Sequence, residues 1–153
     1  MSSYQPASTP SEKPPNPEPI SDSPGTPGKR ILVVDDEPAI RALLARALSQ
    51  EGYLVDVAAD GQKSWRMIQT KRYVGAIVDL KMPGVGGQKF WERLETLDER
   101  LMSKVIFMTG DTVSHESRGF IAATGNPLIV KPFDLVEFLR VLQRHLEAGL
   151  GGE

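Results

Sequence analysis

Apolar positions in this chain fall into two periods that alternate. Residues 31–34 (Ile-Leu-Val-Val), 76–78 (Ala-Ile-Val), 105–108 (Val-Ile-Phe-Met) and 128–130 (Leu-Ile-Val) are short, continuous apolar runs. Such runs predict strands buried on both faces. Residues 53–57, Tyr-Leu-Val-Asp-Val, predict one further strand. Between the runs the period lengthens. Pro38 suits the first turn of a helix, Ile40, Leu43, Leu44, Ala47 and Leu48 recur at helical spacing, and Gly52 ends the segment. Asp60-Gly61 opens a second helix with Trp65 and Ile68 facing inward. Pro83, Gly84, Gly86 and Gly87 form a loop ahead of a helix carrying Phe90, Leu94 and Leu97. A weaker helix is predicted over 113–123. The clearest amphipathic stripe is the last: Leu135, Phe138, Leu139, Leu142 and Leu146. Strands alternating with helices predict an α/β fold, with a parallel sheet covered on both faces and right-handed crossovers.

The opening stretch breaks this pattern. Residues 1–28 hold eight of the 12 prolines and little that is apolar. Too little surface can be buried there to offset the entropy of ordering it. It reads as a disordered Pro/Ser-rich leader, either a linker or docking arm or an inert extension. Residues 29–148 form the expected domain, and 149–153 a Gly-rich tail. The 153 residues suffice for one domain with a sizeable core.

Charge and composition narrow the chemistry. A net charge of −2 gives no reason to expect a nucleic-acid or membrane surface. With no cysteine, disulfides and thiolate sites are excluded. No apolar run approaches the roughly 18 residues of a membrane span. The N-terminus lacks the basic-then-apolar order of a secretory signal, so the cytoplasm is the expected location.

The ends of the apolar runs carry the candidate chemistry. The runs lead into Asp35-Asp36, Asp79, Thr109 and Lys131. In a parallel sheet these strand ends share one edge, where ligands of such folds bind. Carboxylates about 4 Å apart repel by roughly 4 kcal/mol per pair at an effective dielectric near 20. A divalent cation removes that cost, and an all-oxygen ligand set suits Mg²⁺. Zinc fits poorly, since His115 and His145 lie far from these ends in sequence. A carboxylate beside Mg²⁺ can attack a phosphoryl group, while an ammonium and a hydroxyl stabilise the transferred oxygens. Asp79 is the expected nucleophile, Asp35 and Asp36 the metal holders, and Lys131 and Thr109 the phosphoryl partners. Each residue also has a plainer reading: Asp-Asp before a helix as a cap, Thr and Lys-Pro as turn residues. The conjunction at successive strand ends favours the site.

These residues carry a family resemblance. Residues 31–38 (Ile-Leu-Val-Val-Asp-Asp-Glu-Pro), 78–84 (Val-Asp-Leu-Lys-Met-Pro-Gly) with Gly87, 108–110 (Met-Thr-Gly) and 131–133 (Lys-Pro-Phe) resemble the receiver domain of two-component response regulators. The resemblance implies a flavodoxin-like (βα)5 fold, a five-stranded parallel sheet of order 2-1-3-4-5. It implies that Asp79 accepts a phosphoryl group from a sensor histidine kinase or histidine phosphotransfer protein. It implies Mg²⁺ held by Asp36, Asp79 and the backbone carbonyl of Lys81, with Asp35 acting mainly through water. A cis peptide is expected at Lys131-Pro132, and the face of helix 4, strand 5 and helix 5 as a contact or homodimer surface. Many family members carry Tyr or Phe where this chain has Leu128, so the usual aromatic readout lacks its carrier. By position, two residues past Asp79 and Thr109, Lys81 and Asp111 read either as a pair across the mouth of the site or as two independent solvated charges.

On this reading the protein is a phospho-acceptor signalling domain rather than an enzyme, with no output domain of its own. An alternative is a hybrid-kinase-type phosphorelay intermediate or phosphate sink. An aspartyl-nucleophile phosphatase fits less well, because Asp35 is followed two residues later by Glu37 and then Pro38 where that chemistry places an acid-base Asp.

Overall fold

The computed structural model describes residues 28–82, 84–110 and 114–147. The expected leader up to residue 27, Asp111 and the tail lie outside them. The elements run β1 (Arg30–Val34), α1 (Pro38–Gln50), β2 (Leu54–Ala58), α2 (Gly61–Thr70), β3 (Gly75–Asp79), α3 (Gly87–Leu97), β4 (Val105–Thr109), α4 (His115–Thr124), β5 (Leu128–Val130) and α5 (Leu135–Leu142). All strand pairs are parallel, in the order β2-β1-β3-β4-β5. The expected fold class and strand order are both found.

The sheet's pleat divides the core. Leu32, Val34, Ala76, Val78, Val105 and Phe107 meet Ile68 of α2, Phe90 and Leu94 of α3 and Ile121 of α4. The intervening Ile31, Val33, Ile77, Ile106 and Met108 meet Leu44 and Leu48 of α1 and Phe138 and Leu142 of α5. Period-2 alternation thus puts both halves of each continuous apolar run to use, one on each face.

Local chemistry sets the helix ends. Pro38 stands in the first turn of α1. Asp60, Ser114 and Asp134 cap α2, α4 and α5, accepting from the backbone N–H of Lys63, Ser117 and Val136. Gly125 closes α4 at φ +76°.

Some boundaries differ from the sequence reading. β2 starts at Leu54, and Tyr53 is buried just before it. α4 starts at His115, where the Ser114 cap sits. Beyond Leu142 the last helix widens into a π turn over Gln143–Glu147, which still buries Leu146. A 3-10 turn over Glu99–Lys104 was not foreseen, because Leu101 is its one buried residue and leaves no periodicity to read. It is tied down at Met102, whose carbonyl accepts from Trp91 Nε1 at 2.8 Å and Asn126 Nδ2 at 2.7 Å. Among the described residues, no helix is long and apolar enough to cross a membrane.

Candidate phospho-acceptor site

The strand ends converge as the sequence leads one to expect. Asp35 follows β1, Asp79 closes β3, Thr109 closes β4, and Lys131 follows β5. Asp35, Asp79 and Thr109 are each at most 5% exposed. Carboxylate oxygens of Asp35, Asp36 and Asp79 all lie within 4.8 Å of one another. Asp36 alone of the three is exposed.

Lys131 joins the carboxylates. Its Nζ donates to Asp35 Oδ2 at 2.8 Å, Glu37 Oε1 at 2.7 Å and Asp79 Oδ2 at 3.0 Å. The backbone holds the rest. Asp79 Oδ1 accepts from Lys81 N at 3.0 Å, and Asp35 Oδ1 from Glu37 N at 2.9 Å. Lys131 N donates to the Thr109 carbonyl at 2.7 Å, anchoring β5 to β4 beside the site. The Lys131-Pro132 bond is cis, as expected.

Burial pushes the Asp79 carboxyl above its ordinary pKa. Bonds from Lys81 N and Lys131 pull it down, and the neighbouring Asp35 charge adds to the rise. Burial would lower the Lys131 pKa, yet its bonds to Asp35, Glu37 and Asp79 outweigh that and raise it. Lys131 is therefore a permanent cation at neutral pH. Burial leaves the Asp79 carboxyl poorly solvated, with Lys131 and the Lys81 N–H as its partners.

All six expected site residues are contiguous, with Lys81 joined through its backbone N–H. The capping reading of Asp35-Asp36 holds in part: Glu37 is the N-cap residue of α1 and its own side chain makes no cap bond, while Asp35 Oδ1 accepts from the Glu37 backbone N–H. Two participants were missed. Glu37 supplies the third partner of Lys131, and Arg41 Nη1 donates to the Asp35 carbonyl at 2.7 Å. Glu37 had a signal, a third acidic residue in a row. Arg41 had none beyond helical spacing from the site.

The donor set fits Mg²⁺. It offers three clustered carboxylates, all hard oxygen ligands, in a site where Lys131 bonds only two of them. Asp36, outside the Lys131 bonds, leaves negative charge for a cation to meet.

Comparisons with known proteins agree with this geometry. The family model for the response regulator receiver domain matches residues 31–143. The transcriptional regulatory protein TcrA of Mycobacterium tuberculosis is 35% identical over 120 residues, 76% of this chain and 47% of TcrA. The chain thus spans about half the length of that curated relative. Sporulation initiation phosphotransferase F of Bacillus subtilis is 32% identical over 122 residues, 77% of this chain and 94% of that protein. Among solved structures, the response regulator TrrA of Thermotoga maritima, in complex with Mg²⁺ and BeF, superposes with a TM-score of 0.67 at 32% identity. That match covers 77% of this chain and 99% of TrrA. Sequence, fold and site geometry agree, and the chain belongs to the response regulator receiver domain family of two-component systems.

Proposed function

We propose that this domain accepts a phosphoryl group on Asp79 from a phosphohistidine of a sensor kinase or histidine phosphotransfer protein. The observation that carries the reading is the Lys131 ammonium shared between Asp35 and the buried Asp79 carboxylate at the sheet edge. An Asp79 oxygen attacks phosphorus, the P–N bond to the donor imidazole breaks, and an acyl phosphate forms. Lys131 pairs with one transferred oxygen, and the Thr109 hydroxyl hydrogen-bonds another. Lys81 N keeps the second Asp79 oxygen in place. Asp36, Asp79 and the Lys81 carbonyl would hold Mg²⁺, with Asp35 assisting through water; when bound, the ion neutralises charge on the phosphoryl oxygens.

The proposed setting is the cytoplasm. The phosphorylated domain signals by binding a partner or by passing the phosphoryl group on. The TrrA complex with Mg²⁺ and BeF supports the metal, and the phosphotransferase relative supports onward transfer. The proposed contact face is α4, β5 and α5, where Val130 is 52% and Val136 62% exposed.

The test is incubation with Mg²⁺ and a small acyl phosphate donor, read by intact mass. The wild-type protein gains one phosphoryl group and Asp79→Asn gains none. An adduct that persists in Asp79→Asn overturns the assignment.

A further inference from the structure

The Lys131 ammonium has three N–H donors, and carboxylates occupy all of them. A phosphoryl oxygen can pair with it only by displacing one. Asp35 is buried, with 1% of its side chain exposed, and cannot rehydrate if released. Asp79 Oδ2 is the attacking oxygen, which Lys131 must still hold while the phosphoryl group approaches. Glu37 differs from both. Its side chain is 57% exposed, so water can replace the lost bond. Among the described residues its carboxylate has no other partner: Glu37 is the N-cap residue of α1, yet that carboxylate makes no capping bond.

Resting on the phospho-acceptor reading, we infer that Glu37 is a latch that holds Lys131 in the unphosphorylated state and lets go when the phosphoryl group arrives. Glu37 touches no reacting atom and acts through Lys131, which makes it a positioning residue. Its carboxylate and a phosphoryl oxygen compete for one N–H. The latch keeps the ammonium in register with Asp79 while the site waits, at the cost of weaker phosphoryl binding. Once released, the carboxylate remains at the N-terminus of α1, where the helix dipole favours negative charge. Phosphorylation therefore changes the surface at the start of α1 by freeing one carboxylate, beside the groups that meet the donor.

Beryllofluoride with Mg²⁺, an unreactive phosphoryl mimic, reads the competition at equilibrium. Wild type, Glu37→Gln and Glu37→Asp are titrated at constant ionic strength. Glu37→Gln removes the charge. Glu37→Asp keeps the charge and withdraws it from Lys131 by one methylene. The latch predicts that both variants bind the mimic more tightly, by roughly three- to five-fold, the scale of losing a competing exposed ion pair. Tighter binding in Glu37→Gln alone would mean that only diffuse charge matters, and would overturn the latch. Unchanged or weaker binding in both variants would also overturn it. These results leave the parent reading standing, provided the wild type binds the mimic and takes up one phosphoryl group. A wild-type protein that does neither overturns the phospho-acceptor reading, and the latch with it.

Discussion

At Lys131 one ammonium answers to Asp35, Glu37 and Asp79. Its side chain is only 11% exposed, so removing it strands two buried carboxylates. Lys131→Met is expected to lose about 3 kcal/mol of stability in urea unfolding, the lower end for stripping one partner from a buried ion pair. Added Mg²⁺ should recover part of that loss, and should stabilise the variant more than the wild type, since a cation then meets carboxylates that no ammonium neutralises. Equal stabilisation of both proteins by Mg²⁺ would contradict this picture of the site's charge. The sequence made most of these residues legible because each ends an apolar run. Glu37 was less so. Its neighbour Pro38 marks a helix start, and at a helix start an acidic residue is expected for reasons unrelated to Lys131.

The elements show where a backbone contact, rather than a side chain, positions the site. The first residue of α3 abuts the end of β3. A Cβ added to Gly87 would lie 2.9 Å from the Asp79 carbonyl oxygen and 3.0 Å from Leu80 Cα. Both are backbone atoms, of Asp79 and its neighbour, and cannot rotate away. Gly87→Ala should therefore cost about 1–3 kcal/mol, as overpacking does, and slow phosphorylation by shifting Asp79. Gly119 in α4 is the control, with nothing within 4 Å of its added Cβ. Gly119→Ala should gain roughly 0.5–1 kcal/mol from helix propensity. Thermal melts and acyl phosphate labelling check both, and a Gly87→Ala protein matching wild type in each would refute the close approach. Strand ends, glycine stops and the Asp60 cap could be read from sequence because each has a local signature. The turn over Glu99–Lys104 could not, since Met102 is held by Trp91 and Asn126 from distant parts of the chain.

At the scale of the molecule, one sheet carries the site at its carboxyl edge and the proposed contact face along β5. Leu128 opens β5 and pairs in register with Phe107. Phe107 in turn packs edge-on against Phe120 of α4, with ring centroids 5.5 Å apart. These contacts, with the Lys131 N–Thr109 carbonyl bond, link the site to α4 and β5 without an aromatic residue at Leu128. If the exposed Val130 and Val136 form a homodimer face, acyl phosphate with Mg²⁺ should raise the sedimentation coefficient of the wild type, and Val136→Asp should prevent it. Sedimentation unchanged by the donor would rule out phosphorylation-driven self-association. The fold as a whole was legible because its strands are buried on both faces and stand out as uninterrupted apolar runs.

The central claim is that Asp79 carries the phosphoryl group. Borohydride reduces an acyl phosphate to an alcohol and so marks the residue that bore it. The protein is treated with Mg²⁺ and a small acyl phosphate, reduced, digested and mapped by mass. The account predicts reduction at position 79, with Asp35 and Asp36 intact. Reduction at Asp35 or Asp36 with Asp79 untouched would contradict it.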